Sequence, residues 1–248
     1  MKRRIIVDIR FNIDLRKYGE LSKIKGYDME AAFKKAQTKE WIEKRMKIFE
    51  RCALQSLKHQ TSQNFLCVLR YEASSKETLE EVLKNYPDLP SNIIFSSNAD
   101  KFIAKEMQNY DVLYQVGMDT DHIYAPNFIE TIEKIPYEEG VKCLLCKAGY
   151  LYDFENNRLA KIWHPSPSCY VYTYNQKAFE AEFNTRTYNN HYYAQYLPHK
   201  EITGRAYMLT VHGQNVYHTF DIVCRKFNGI LIEDEHEKNA ILKEWLHL

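Results

Sequence analysis

Gly117-Met118-Asp119-Thr120-Asp121-His122 stands where the apolar run Asp111 to Val116 gives out and Ala125-Pro126-Asn127 opens a helix. Carboxylates two residues apart project from the same side of an extended chain, so Asp119 and Asp121 can approach one hard cation. Mg²⁺ or Mn²⁺ suits such oxygens and keeps positions open for those of a diphosphate. The same two acids would also serve as plain capping residues at a helix start, with no metal involved. A second candidate is His212 in Leu209-Thr210-Val211-His212-Gly213. An imidazole at the end of an apolar strand and followed by glycine can face a pocket, although a lone histidine is more often simply hydrogen-bonded. Cys143-Leu144-Leu145-Cys146 has the spacing of half a zinc site. It lies in a strand-like run, Val141 to Ala148, where residues three apart face opposite ways, so we expect no zinc there.

The elements that must position these groups alternate. Ile5 to Ile9 reads as a buried first strand ending at Arg10-Phe11-Asn12. Residues 13–37, with Gly19 and Gly26, read as a long excursion with some helix near Met29 to Lys35. From an N-cap at Thr38, the residues Trp41, Ile42, Arg45, Met46, Phe49, Cys52, Ala53 and Leu57 recur at helical spacing. Strands follow at Phe65 to Leu69, Asn92 to Phe95 and Asp111 to Val116, with helices at Thr78 to Asn85 and Asp100 to Gln108 between them. This rhythm predicts an α/β unit over the first 118 residues, and ligands of open parallel sheets sit at the carboxyl ends of the strands. Beyond it we expect a helix at Pro126 to Ile135 and strands around 141–152 and 168–174. A further strand is expected at Tyr207 to Val211, with a closing helix from Asp234 to Leu248. No linker divides the chain, so residues 1–248 are expected to form one domain with a nucleotide-type half (1–122) and a variable half (123–248).

Composition narrows the classes. The 248 residues carry 34 Lys+Arg against 33 Asp+Glu, so no overall field gathers polyanions, and no nucleic-acid partner is expected. Six cysteines in mostly apolar segments suit a reducing compartment, and the longest apolar runs are far short of a membrane span. The expectation is a cytoplasmic protein with at most peripheral membrane contact through Lys2-Arg3-Arg4.

Five motifs in order resemble a known family. They are Arg10-Phe11-Asn12, the segment Glu40 to Phe49, the segment Ser56 to Phe65, the Asp-Thr-Asp turn with Ala125-Pro126-Asn127-Phe128-Ile129, and Val211-His212-Gly213-Gln214-Asn215. Together, over roughly residues 5 to 220, the sequence is similar to the rhamnosyltransferase family of glycosyltransferases with a GT-A fold. The resemblance implies a single, mostly parallel central sheet flanked by helices. It also implies a metal-dependent sugar transferase that uses a nucleoside diphosphate sugar donor and a glycan or lipid-linked glycan acceptor. Carried over residue by residue, Asp119, Asp121 and His212 are the implied ligands of Mn²⁺ or Mg²⁺. Arg10, Phe11, Asn12 and Asp119 are the implied donor-binding residues. The wider class often has an acid after the second strand that holds the base or ribose; only Glu72 stands there.

A transferase that inverts configuration needs a base near the acceptor hydroxyl, and Asp153, Glu180, Glu182, His191 and Glu201 all lie in the variable half, with no local pattern to separate them. Trp163 to Ser168 and the tyrosines at 170, 172, 174, 188, 192, 193 and 196 could offer aromatic faces to sugars, or could simply pack the core. Two other functions fit parts of the pattern. A metal-dependent nucleotidyltransferase would need a glycine-rich basic loop near the first strand, which Arg10-Phe11-Asn12-Ile13 lacks. An inactive nucleotide-binding or interaction module would have no need of the intact Asp119, Asp121 and His212.

Overall fold

The apolar runs read from the sequence become the central strands of a seven-stranded sheet. The computed structural model describes residues 1–14, 16, 28–187, 191–213 and 219–247, with the side chains of all but 184–187, 191 and 192. Gly19, Gly26, Tyr188 and Gln214-Asn215 lie outside the described residues. The strands are β1 (Arg3–Asn12), β2 (Leu66–Tyr71), β3 (Ile93–Ser96), β4 (Val112–Met118), β5 (Ile123–Tyr124), β6 (Cys143–Leu145), β7 (Ala148–Asp153), β8 (Arg158–Trp163), β9 (Tyr170–Asn175), β10 (His199–Glu201), β11 (Arg205–Val211) and β12 (Ile230–Leu231). The helices are α1 (Met29–Ala36), α2 (Lys39–Phe49), α3 (Gln55–Lys58), α4 (Lys76–Leu83), α5 (Ala99–Met107), α6 (Phe128–Lys134), α7 (Gln176–Thr187), α8 (Phe220–Lys226) and α9 (Glu235–Leu246).

The large sheet has the order β10-β6-β9-β4-β1-β2-β3. Strands β3, β2, β1 and β4 pair in parallel, as do β6 and β10, and only β9 runs against its neighbours. The expected mostly parallel, helix-flanked sheet is therefore present. It is not alone: a second sheet, β12-β8-β7-β11-β5, is antiparallel except for the β7/β11 pair. The strand expected over Val141 to Ala148 is divided between the two sheets, because the chain leaves β6 at Cys146 and enters β7 at Ala148. Six elements carry weaker sequence signals than those expected above: the short strands β5, β10 and β12, together with β8, α8 and α7, whose Phe179 and Phe183 lie one turn apart on α7 and bury against Tyr174.

Alternation along the strands sends the large sheet's two faces into two cores. Ile5, Val7, Ile9 and Phe11 join Ile42, Met46 and Phe49 of α2, while Ile6, Val68 and Leu113 join Ile103, Tyr172 and Phe179 on the other side. The Thr38 hydroxyl accepts from the Trp41 N–H at the start of α2, as its spacing predicts. After Phe49 this helix continues through a π-helical turn, Glu50–Leu54, into α3. Tyr172 and Tyr174 are core residues rather than an acceptor surface, at 1% and 0% exposure; Trp163, Tyr193 and Tyr196 are the exposed aromatics of that region. Among the described residues, no helix is long and apolar enough to cross a membrane.

Candidate donor and metal site

Parallel pairing sets the ends of β4, β1 and β2 side by side, and every charged residue of the candidate site hangs from that edge or from the end of β11. Ile9 pairs with Met118, so Arg10 and Asp119 follow as neighbours, and Arg10 Nη2 lies 3.6 Å from Asp119 Oδ1. The segment after β4 is a turn rather than extended chain, with the His122 N–H bonded to the Asp119 carbonyl. His122 lies between the two carboxylates, its Nδ1 3.7 Å from Asp119 and its Nε2 3.9 Å from Asp121. Thr120 points inward and is fully buried, and its Oγ1 has no hydrogen-bond partner among the described residues.

Asp121 is also held from the second sheet. Its carbonyl accepts from the Thr210 hydroxyl at 2.7 Å, and its carboxylate lies 3.2 Å from His212 Nε2. Burial alone would raise its pKa. The hydrogen bond from His212, together with the charges of His122, Arg45 and His212, instead holds it well below the usual carboxylate range. Asp121 therefore stays ionised, as a metal ligand must. Ser168 Oγ sits 3.2 Å from His122 Nδ1, which ties the segment before β9 to the same cluster. Burial pushes the Tyr170 phenol up to about 12, so it stands at this edge as a neutral hydroxyl.

Tyr170 packs directly on Gly117. A Cβ there would lie 2.7 and 2.9 Å from ring atoms and 3.1 Å from the Ser168 carbonyl. Gly117→Ala is expected to cost about 1–3 kcal/mol by overpacking, measured by urea denaturation. A loss under about 0.5 kcal/mol would show that the ring yields freely.

Along the same edge, Glu72 donates its backbone N–H to the Asn12 carbonyl at the end of β1. It lines a cavity of about 290 Å³ with Asp14, Arg70, Asp100 and Lys101. At strand spacing, this cavity and Asp119 are separated by about 10–15 Å of sheet edge. Beneath it, Arg70 bonds both carboxylate oxygens of Asp8 at 2.5 and 2.8 Å and reaches Asp100 at 2.6 Å. Gln115 completes the Asp8 carboxylate at 2.6 Å. The sequence signal for this network is Asp8 inside one apolar strand and Arg70 at the end of its neighbour.

The other expected residues fall elsewhere. Phe11 is 1% exposed and packs edge-on against Phe95. Asn12 is buried, donating to the Ala36 carbonyl and the Ser75 hydroxyl. Both support the edge from below and present no group to it. Asp153 is buried and accepts from the N–H groups of Glu155 and Asn156 and from Arg158, so it holds the β7–β8 turn. Burial opposes its ionisation, yet the bonds from Asn156, Arg158 and Glu155 keep its pKa low, the reverse of what a general base requires. Glu182 pairs with Lys142 at 2.6 Å beside a cavity at the opposite end of β9 from Tyr170. Glu180 is exposed on α7. Glu201 ends β10 at the same sheet edge as Asp119 but three strands away, and it pairs with Lys147. The side chain of His191 lies outside the described residues.

The donor set of Asp119, Asp121 and His212 is right in kind for Mn²⁺ or Mg²⁺, with hard carboxylate oxygens and one imidazole. It is not pre-assembled: among the described residues no group of three or more His, Cys, Asp or Glu side chains is arranged to hold a metal ion as it stands.

A family model described as "Putative rhamnosyl transferase" matches residues 5–135, just over half of the 248. The chain belongs to this family. The match includes β1, α2, β4 and the Asp119–Asp121 turn, while His212 lies beyond it. The chain is thus a member of a glycosyltransferase family, and its helix-flanked mixed α/β sheet agrees with the GT-A expectation.

Among solved structures, the chain is similar to 4-diphosphocytidyl-2C-methyl-D-erythritol synthase of Anaerococcus prevotii at 10% identity, covering 97% of this chain and 96% of that one, with a TM-score of 0.37. A cytidylyltransferase of Leptospira borgpetersenii is 14% identical over 98% and 94% of the two chains, with a TM-score of 0.38. S. aureus TarS is 14% identical over 98% of this chain and 42% of that one, with a TM-score of 0.34. Likenesses this loose carry no argument about activity. No curated protein matches the chain.

Proposed function

We propose that this protein moves a sugar from a nucleoside diphosphate sugar to a hydroxyl of a glycan or lipid-linked glycan, with Mn²⁺ or Mg²⁺ held through Asp119, Asp121 and His212. The observation that carries the reading is the convergence of Arg10, Asp119, His122, Asp121 and His212 at the shared end of β1, β4 and β11. A divalent cation there would neutralise diphosphate oxygens and so make the nucleoside diphosphate a better leaving group. Arg10, which pairs with Asp119, would add its positive charge beside the same oxygens. The cavity of Glu72, Asp14 and Asp100 lies on the nucleoside side, away from β9. Its carboxylates would accept hydrogen bonds from ribose hydroxyls or base N–H groups. We place the protein in the cytoplasm, with no more than peripheral contact with a membrane carrying the acceptor.

The test is a panel of UDP, GDP and dTDP, each with and without Mn²⁺, read by thermal shift. A ligand at a hundred times its dissociation constant stabilises the native state by ~2.7 kcal/mol. For a chain of this length that is roughly 5–11 °C. At least one diphosphate should give such a shift with Mn²⁺ and much less without it. A flat panel from folded protein would remove the transferase reading and leave the inactive module.

A further inference from the structure

Ile230 and Leu231 make up β12, the outermost strand of the second sheet, and they are 69% and 45% exposed. Trp163, 49% exposed, lies on β8 two residues beyond Lys161, the cross-strand partner of Ile230, so Trp163 and Ile230 share one face of the sheet. Apolar exposure gathered in one place marks an association surface rather than ordinary scatter. β12 pairs with β8 on one side and has no strand partner on the other among the described residues, which leaves a row of backbone groups open to pairing. The two ends of this edge carry opposite charge. At one end the Gly229 N–H bonds the Cys224 carbonyl at 2.7 Å, which folds Arg225 and Lys226, the last residues of α8, back toward the start of β12. At the other, Glu233 and Asp234 follow the strand. Arg225 and Glu233 are exposed, and neither makes an ion pair among the described residues. The charged groups around them do pair: Lys161 with Glu237 at 2.7 Å, Arg158 with Asp221 at 2.9 Å and Lys238 with Glu235 at 2.6 Å.

An edge that is basic at one end, apolar in the middle and acidic at the other is complementary to itself when turned end for end. We propose that β12 pairs antiparallel with β12 of a second copy of this chain about a two-fold axis. Ile230, Leu231 and Trp163 pack across the axis, and Arg225 of each copy meets Glu233 of the other. A lipid surface fits less well, because the acids Glu233, Asp234, Glu235 and Glu237 would be brought to the same headgroups as the bases. β12 is two residues long, so the interface belongs with the small, transient ones, below about 1,200 Å² in all. β8 and β7 separate β12 from β11, whose end leads to His212, so the pairing leaves the candidate donor site open.

Sedimentation velocity of the intact chain between about 1 and 500 µM tests this, because dimerisation follows mass action. The parent should pass from monomer to dimer across that range, and the shift should weaken from about 0.05 to 1 M salt as the end charges are screened. Ile230→Lys, a charge set in the middle of the edge, should weaken association by about 10-fold or more. Arg225→Glu and Glu233→Arg should each do the same alone. Combined in one chain, they set opposite charges against each other again across the two-fold axis, so the double variant should return to within about 3-fold of the parent. A chain that is monomeric at every concentration would overturn the proposal, as would a dimer indifferent to Ile230→Lys. A double variant no tighter than either single change would refute the end-for-end pairing, and growth beyond the dimer would refute the two-fold axis. A monomer that cosediments with phosphatidylglycerol vesicles would assign the edge to a membrane instead. Should the variants unfold, hydrogen exchange of the parent decides: the Leu231 and Glu233 amides should exchange more slowly at high protein concentration, and equal rates would contradict the pairing.

Discussion

The double variant Asp119→Asn/Asp121→Asn is expected to stay folded and to lose the Mn²⁺-dependent part of nucleoside diphosphate binding. Both carboxylates are partly exposed, at 29% and 16% of their side chains, and neither supports the core. Asparagine keeps an oxygen that can accept from His212, so the turn retains its local bonds. What is removed is charge. A diphosphate placed against two ionised carboxylates is repelled by both unless a cation lies between them. In the parent, Mn²⁺ should convert a weak ligand into one worth several degrees of melting temperature; in the variant the curves with and without Mn²⁺ should coincide to within about 1 °C. Transfer to an acceptor should fall in parallel. Binding with the parent's metal dependence would show that the turn is only a helix cap.

Arg70→Leu should cost about 3–5 kcal/mol of stability, because it strands the Asp8 carboxylate inside the large sheet. The two side chains are 11% and 8% exposed and share two hydrogen bonds, and only Gln115 would remain to solvate Asp8. Burial by itself would lower the Arg70 pKa; the Asp8 and Asp100 carboxylates more than offset this, so the guanidinium stays charged. Urea denaturation should show the midpoint fall with little change in slope. Adding Asp8→Leu should recover most of the loss, since a buried pair replaced by apolar side chains is often neutral. A loss below about 1 kcal/mol for Arg70→Leu alone would mean that water reaches Asp8.

The sequence by itself determined the strand and helix order of the first 118 residues and the position of the Asp119–Asp121 turn. Those signals are local: β-branched runs such as Ile5 to Ile9, the helical spacing from Trp41 to Leu57, and a Thr38 cap are each decided within a few neighbouring residues. The second half read less well because its strands are short and change sheets. Nothing near Cys146 announces that β6 and β7 part company, because the choice of sheet depends on partners in β9 and β11, some 25 to 58 residues away.

The tertiary structure alone decided which polar residues became site and which became support. Arg10, Phe11 and Asn12 are consecutive and looked equivalent, but the pleat and the turn leave only Arg10 open at the edge. Asp153 is one of five acceptor-side candidates that no local pattern separates, and the packed β7–β8 turn engages both of its carboxylate oxygens. His122, which follows the motif in sequence, lies within 4 Å of both of its carboxylates. Spacing along a chain says what a residue can do; whether its polar atoms are already satisfied is a property of the packed neighbours, which no local pattern contains.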